Sequence, residues 1–304
     1  MTKSRQQTRR ILMTNPMLIG VIGLVLAVSA FTFWRIMLVN ENDLKLKSNL
    51  HSSQIIPEQS DNSKNQSLSS KSGKFINLPI LMYHHIGELP AQADAVRKDL
   101  TVSLQNFEMQ VAWLKGQSFE SISLGDLLNY SKGRFILPEK PVIFTFDDGY
   151  TDALENAPPI LKKYGFTGSF AVVTQFPGIN SEDNQYADWQ IIRQAKDAGM
   201  EIIDHTQDHF DGTDPKYDEK FILRNLNDSR KDLENNLGQS LPVLVYPFGR
   251  YNEKYIQLAR QAGFEIGVTT KEGKKNFPDN LMEIPRIRIH GEESLEIFQK
   301  MILE

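Results

Sequence analysis

Two adjacent carboxylates close an apolar run in Thr145-Phe146-Asp147-Asp148-Gly149-Tyr150, and two imidazoles four residues apart follow in His205-Thr206-Gln207-Asp208-His209. One carboxylate with two imidazoles can hold a divalent cation and leave positions for water and substrate. The other carboxylate is then free to take a proton. Taken alone, Asp-Asp-Gly reads better as a turn that caps a strand, and an isolated histidine pair reads equally as packing or surface. Their coincidence in one chain points to a mononuclear metallohydrolase. The i, i+4 spacing predicts that His205 and His209 share a helical turn and grip one metal. No Glu follows His205, so the pair is not the zinc-protease signature. Asp204 and Asp208 either orient the imidazoles or are plain surface charges.

Two further segments carry chemistry. In Tyr246-Pro247-Phe248-Gly249, a rigid proline followed by glycine lets the backbone approach a ligand, and its amides can form an oxyanion hole. An ordinary strand-ending turn has the same composition. In Leu78-Pro-Ile-Leu-Met-Tyr-His84-His85-Ile, tandem histidines end an apolar run. Either is a candidate general acid near neutral pH, and both are also candidate packing residues.

The elements that must position these groups follow from periodicity. Apolar runs predict strands at Leu78–Tyr83, Val142–Phe146, Ser169–Val173, Glu201–Ile203, Val243–Tyr246 and Glu265–Val268. Amphipathic stretches predict helices at Ser103–Lys115, Pro158–Tyr164, Trp189–Ala198, Lys220–Leu237 and Lys254–Ala262. Gly165, Gly199 and Gly263 suit helix C-caps. Such alternation means a mostly parallel sheet, and motifs at several strand C-termini favour a barrel over an open sheet.

Composition narrows the class. Cysteine is absent, so any metal must sit on His, Asp and Glu. The formal net charge is −4; residues 1–39 contribute +5 through Lys3, Arg5, Arg9, Arg10 and Arg35, so residues 40–304 carry −9. An acidic body argues against nucleic acid as a partner. Residues 1–16 read as a basic cytoplasmic tail and 17–39 as a transmembrane anchor, since Met17–Trp34 is uncharged and long enough to span a bilayer. Cleavage after Val28-Ser29-Ala30 is the competing expectation. Residues 40–74, polar and nearly free of aromatics, read as a flexible linker whose ends lie roughly 30–35 Å apart. Residues 75–304 form the folded domain.

The motif set resembles the polysaccharide deacetylases of carbohydrate esterase family 4, with the NodB homology domain, over roughly residues 78–290. The resemblance implies an α/β fold, a distorted (β/α)7 barrel. It implies Asp147 as catalytic base, Asp148, His205 and His209 as metal ligands, and zinc as the expected metal. The finer resemblance is to the branch that removes N-acetyl groups from poly-β-1,6-N-acetylglucosamine in biofilm. That branch's Leu-Met-Tyr-His strand matches Leu81–His84, which makes His84, rather than His85 or His290, the proton donor. Its Tyr-Pro-Tyr-Gly segment matches Tyr246–Gly249, implying an oxyanion and substrate-binding role for Tyr246 and Phe248. The arginine that opens this motif in other branches is missing, and Arg286 in Ile284-Pro-Arg-Ile is the expected replacement beside Asp147. The implied partners are an N-acetylated extracellular polysaccharide, the membrane, and separate synthase or export proteins. Peptidoglycan deacetylation, ester hydrolysis on decorated glycans, and a silent carbohydrate-binding role are the alternatives.

Overall fold

The computed structural model describes residues 75–181 and 184–304. The expected tail, anchor and linker therefore lie outside the described residues. Among the described residues no helix is long and apolar enough to cross a membrane.

Seven strands run parallel: β1 Ile80–Tyr83, β2 Pro141–Phe146, β3 Ser169–Val172, β4 Glu201–Asp204, β5 Val243–Val245, β6 Ile266–Glu272 and β7 Ile284–Arg288. Each pairs with the next, and β7 pairs back onto β1, closing the sheet into a barrel. The strands are apolar almost throughout because both faces are covered. Ile80, Ile143, Ala171, Ile203, Val245, Val268 and Ile284 belong to one buried cluster that draws on every strand, as side chains filling a barrel interior must. The alternate residues, such as Leu81, Phe144, Phe146, Phe170 and Ile202, pack outward with the helices.

Helices α1 Ala95–Leu100, α2 Leu104–Gly116 and α3 Leu124–Ser131 lie between β1 and β2. Helices α4 Thr151–Lys163, α5 Trp189–Asp197, α6 Glu219–Leu237 and α7 Glu253–Gln261 follow β2 to β5 in turn, and α8 Leu295–Leu303 ends the chain. Helix α3 covers the N-terminal end of the barrel: Leu124, Leu127 and Leu128 join the interior cluster. Glu201, at the start of β4, accepts hydrogen bonds from Leu124 N (3.0 Å), Gly125 N (2.9 Å) and Ser169 Oγ (2.6 Å). That carboxylate stands at the positive end of the helix dipole.

Three differences from the expected elements have physical causes. The strand that closes the barrel, β7, contains Pro285, which removes a ladder donor and argues against a strand. It falls where the β6–β7 ladder shifts register between Val268 and Glu272, and an irregular ladder tolerates a missing N–H. Helix α4 begins at Thr151 rather than Pro158 and carries both Pro158 and Pro159 inside it, its face held by buried Ala153, Leu154, Ala157 and Leu161. Between β6 and β7 there is no α-helix among the described residues, only a short 3-10 turn, Leu281–Glu283, and the Lys275–Asn276 strand. Gly165, Gly199 and Gly263 do follow helix ends with left-handed φ of 73°, 91° and 89°.

Candidate active site

Parallel register brings the chemistry to one end. Tyr83 is level with Phe146, Phe146 with Phe170, and Val172 with Asp204. His84, Asp147-Asp148, His205 and Tyr246 are the residues that next leave β1, β2, β4 and β5. All therefore emerge at the C-terminal mouth of the barrel, where parallel barrels build their sites. Regular strand geometry would throw Asp147 and Asp148 to opposite faces. The chain instead turns there: Asp148 takes φ 72° and Gly149 φ 79°. Four of the five non-glycine residues with positive φ among the described residues are at this mouth: Asp148, Thr206, His209 and Phe248. Left-handed backbone costs L-residues about 1 kcal/mol or more each and persists only where the surroundings enforce it.

Asp148, His205 and His209 each offer a ligand atom, all within 4.8 Å of one another. Asp148 Oδ1 is 3.1 Å from His205 Nε2 and 3.4 Å from His209 Nε2. His205 Nδ1 donates to the Val245 carbonyl at 2.8 Å, which turns Nε2 toward Asp148 as the atom a metal would take in place of its proton. Burial alone would raise the Asp148 carboxyl, but the His205 hydrogen bond and the nearby imidazoles hold it well below the usual range. Burial and the His205 charge push His209 down to about 4, so it is neutral and able to ligate at ordinary pH. A divalent cation fits this donor set of one carboxylate and two imidazoles.

The two histidines do not share a helical turn. Residues 205–209 form a loop, with Thr206 at φ 68° and His209 at φ 57°. A tight fold closed by His209 N–H donating to Thr206 Oγ1 (3.0 Å) brings the imidazoles together, their ring centres 4.9 Å apart. Asp204 and Asp208 do not hold the imidazoles. Asp204 is fully buried and accepts from Thr206 N and Ser229 Oγ, while Asp208 accepts from Asn225 Nδ2. Orientation of His205 falls to the Val245 carbonyl, which no side-chain pattern signals.

Asp147 and Arg286 form a bidentate pair. Arg286 Nη1 donates to Oδ1 and Nη2 to Oδ2, both at 2.7 Å, with Arg286 fully buried and Asp147 4% exposed. Arg286 also donates from Nε to Thr269 O (2.8 Å) and from Nη1 to Thr145 Oγ1 (2.9 Å). Burial would raise the Asp147 carboxyl; the guanidinium outweighs it and keeps the carboxyl below its usual range, hence ionised. Its two oxygens retain lone pairs for a further proton. His84 stands half-buried beside them: burial lowers its pKa, while Asp148 and Asp147 pull it back up.

The remaining candidates separate. His85 is buried, stacked on Tyr150 at 3.7 Å and bonded through Nδ1 to Asp152 (2.9 Å). His290 bonds Asp99 at 2.6 Å. The Tyr246 side chain is fully buried with its hydroxyl donating to Met282 O at 3.2 Å, so its backbone rather than its ring borders the site. Phe248 is 56% exposed, in a left-handed turn, its ring 4.5 Å from that of His209. Sequence reasoning missed Thr145, which braces Arg286, and Tyr150, which walls the mouth. The only available signal was their place in the Thr-Phe-Asp-Asp-Gly-Tyr run.

A parallel barrel whose mouth joins a carboxylate–imidazole metal trio to a second, arginine-held carboxylate defines a metal-dependent hydrolase. The polysaccharide deacetylase family model matches residues 136–267, which include both the aspartate pair and the histidine pair. YxkH of Bacillus subtilis (strain 168), named for the same family, is 30% identical over 224 residues, covering 72% of this chain and 74% of that protein. The poly-beta-1,6-N-acetyl-D-glucosamine N-deacetylase of Staphylococcus aureus (strain MRSA252) is 30% identical over 63% of this chain and 69% of its own length. The Streptococcus pyogenes deacetylase PplD, solved with acetate, superposes with a TM-score of 0.68 at 29% identity, over 76% of this chain and all of PplD. The chain belongs to the polysaccharide deacetylase family, and it is a polysaccharide deacetylase.

Proposed function

We propose that the substrate is an extracellular polymer of N-acetylglucosamine, poly-β-1,6-N-acetylglucosamine, and that the enzyme removes its N-acetyl groups at a zinc site. The observation that carries the chemistry is the juxtaposition of Asp148, His205 and His209 with the buried Asp147–Arg286 pair. The choice of polymer is supported by the Leu81–His84 strand and by the named activity of the staphylococcal relative.

Bound by Asp148, His205 and His209, a divalent cation would supply Lewis acidity, bringing the pKa of water from 15.7 toward about 7 and polarising the amide carbonyl. Asp147, kept ionised by Arg286, takes the proton as water adds to the acetyl carbon. The Phe248 N–H donates to the developing oxyanion. His84 gives a proton to the glucosamine nitrogen as the C–N bond breaks, and acetate and a free amine leave. An imidazole pulled down by burial and up by two carboxylates releases its proton readily.

The uncharged run from Met17 to Trp34, preceded by four basic residues, supports an anchored enzyme whose catalytic domain faces outward. Each turnover exposes an amine that is cationic at neutral pH, and the −9 charge of residues 40–304 would retain that product near the enzyme. Acetate release by the zinc-loaded full-length chain, offered β-1,6-N-acetylglucosamine oligomers and peptidoglycan glycan strands in parallel, tests the reading. Turnover of the oligomers is expected. Turnover of glycan strands alone would move the enzyme to wall modification.

A further inference from the structure

Helix α6 carries a row of buried residues, Ile222, Asn225, Leu226, Ser229, Leu233 and Leu237, on the face it turns to the barrel. Two of them are polar where the helical period calls for apolar packing. Asn225 is 2% exposed and Ser229 fully buried. The helical period alone would suit leucine at 225, branched at the same atom though bulkier. Both side chains instead reach the loop that holds the metal-ligating histidines. Asn225 Oδ1 accepts from Gln207 N (2.9 Å), and its Nδ2 donates to Asp208 Oδ1 (2.8 Å). A single amide thus grips the two residues just before His209. Ser229 Oγ donates to Asp204 Oδ2 (2.7 Å), and Asp204 Oδ1 accepts from Thr206 N (2.7 Å), so the same helix also holds the residues flanking His205.

The loop needs that grip. Thr206 and His209 both lie in left-handed backbone, φ 68° and 57°, which a free chain would relax. On its other side main chain ties the loop, Thr174 N to Thr206 O (3.1 Å), Gln175 N to Gln207 O (2.9 Å) and His205 N to Val172 O (3.0 Å), and the Gln207 side chain adds a longer bond to Asp232 of α6 (3.3 Å). Those bonds set its position along β3 but none reaches the His209 side chain, whose ring meets Phe248 and His205 by packing alone. His209 itself has no side-chain hydrogen bond to the protein among the described residues other than its approach to Asp148. Its placement is therefore inherited from the backbone of 206–208.

We infer that Asn225, with Ser229 acting through Asp204, is the positioning residue for the His205–His209 metal clamp. Without it the loop is free to relax toward ordinary backbone, and His209 leaves the trio. The inference rests on the metal site of the preceding subsection. Groups that orient ligands from behind in this way change metal affinity by about 10–100-fold when removed.

The test is zinc affinity, measured by competition with a chromophoric chelator on the full-length chain, alongside thermal melts. Asn225→Leu is expected to weaken zinc about 10–100-fold while the protein still melts cooperatively. Asn225→Asp keeps the bond from Gln207 N–H but sets a carboxylate against Asp208 in place of the donated bond, and should weaken zinc at neutral pH as Asn225→Leu does. Ser229→Ala, a milder change, gives a second loss of affinity if the Leu variant does not fold. Asn276→Leu is the control: it also deletes a buried side-chain bond, Nδ2 to Leu78 O (3.0 Å), at the opposite end of the barrel. It should lower the melting temperature and leave zinc affinity unchanged. Equal zinc affinity in wild type, Asn225→Leu and Ser229→Ala would overturn the assignment. Failure of the wild type to bind any divalent cation would instead overturn the metal site on which it stands.

Discussion

Deleting the arginine behind the base gives the sharpest energetic expectation. Arg286 and Asp147 are a buried pair, with two hydrogen bonds of 2.7 Å and no solvent to replace either partner. Arg286→Met removes the cation and its bonds to Thr145 Oγ1 and Thr269 O. It leaves a carboxylate uncompensated in a dry site, and breaking such a pair costs about 3–5 kcal/mol. Most of that cost is the stranded charge, so removing the charge as well should recover much of it. The double variant Arg286→Met/Asp147→Asn is expected to be more stable than Arg286→Met alone, with a coupling of about 2 kcal/mol or more. The sign with pH follows. In the wild type the Asp147 pKa is depressed below 3.8, so the stabilisation is present above that value and lost as pH falls through the folded pKa. In Arg286→Met burial is opposed only by the nearby His205 and His84, the pKa rises, and ionisation of Asp147 costs stability as pH climbs from about 4 through the raised value. The deficit of the variant is therefore larger at pH 7.5 than at pH 4.5. Guanidinium melts of the four proteins at both pH values measure this. Additive effects within about 0.5 kcal/mol, with a deficit independent of pH, would refute the reasoning.

Other expectations follow from the same geometry. Asp147→Asn should retain zinc, since Asp147 is not among the clustered ligands, yet lose about 10²–10⁴-fold in kcat; near-full activity with metal bound would remove Asp147 from the base role. Chelation should abolish acetate release and lower the melting temperature, and zinc should restore both, because ligand binding to the native state alone stabilises it by mass action. Gly249→Ala should cut kcat more than stability. A Cβ there would lie 1.9 Å from Thr270 Oγ1 and 2.6 Å from Thr270 Cβ in a turn with φ 67°, so the Phe248 amide must shift. Glu201→Ala should destabilise by about 2–4 kcal/mol, through the stranded N–H groups of Leu124 and Gly125, with kcat unchanged in the folded fraction; an altered kcat would mean the far end of the barrel communicates with the mouth.

The residue types at the site were legible because their chemistry is local. An Asp-Asp-Gly turn after Pro141–Phe146, a histidine pair after Glu201–Asp204, and apolar runs alternating with helices are written in adjacent residues. A mostly parallel sheet followed from that alternation, and motifs at several strand C-termini favoured its closure into a barrel. What local sequence did not carry was the geometry by which residues meet across the sheet. A helical turn was the simplest route to bring His205 and His209 together, and local spacing cannot reveal a left-handed loop held by side chains of α6. The helix start at Thr151 was hidden by two prolines whose cost is outweighed by packing, and β7 was hidden by a third. The contact between Arg286 and Asp147, expected only through the family resemblance, spans 139 residues and exists only because β7 closes the barrel beside β1 and β2. Sequence alone determined which atoms could bind a metal and move a proton; closure of the barrel decided which of them meet, because register and burial, not adjacency, set those distances.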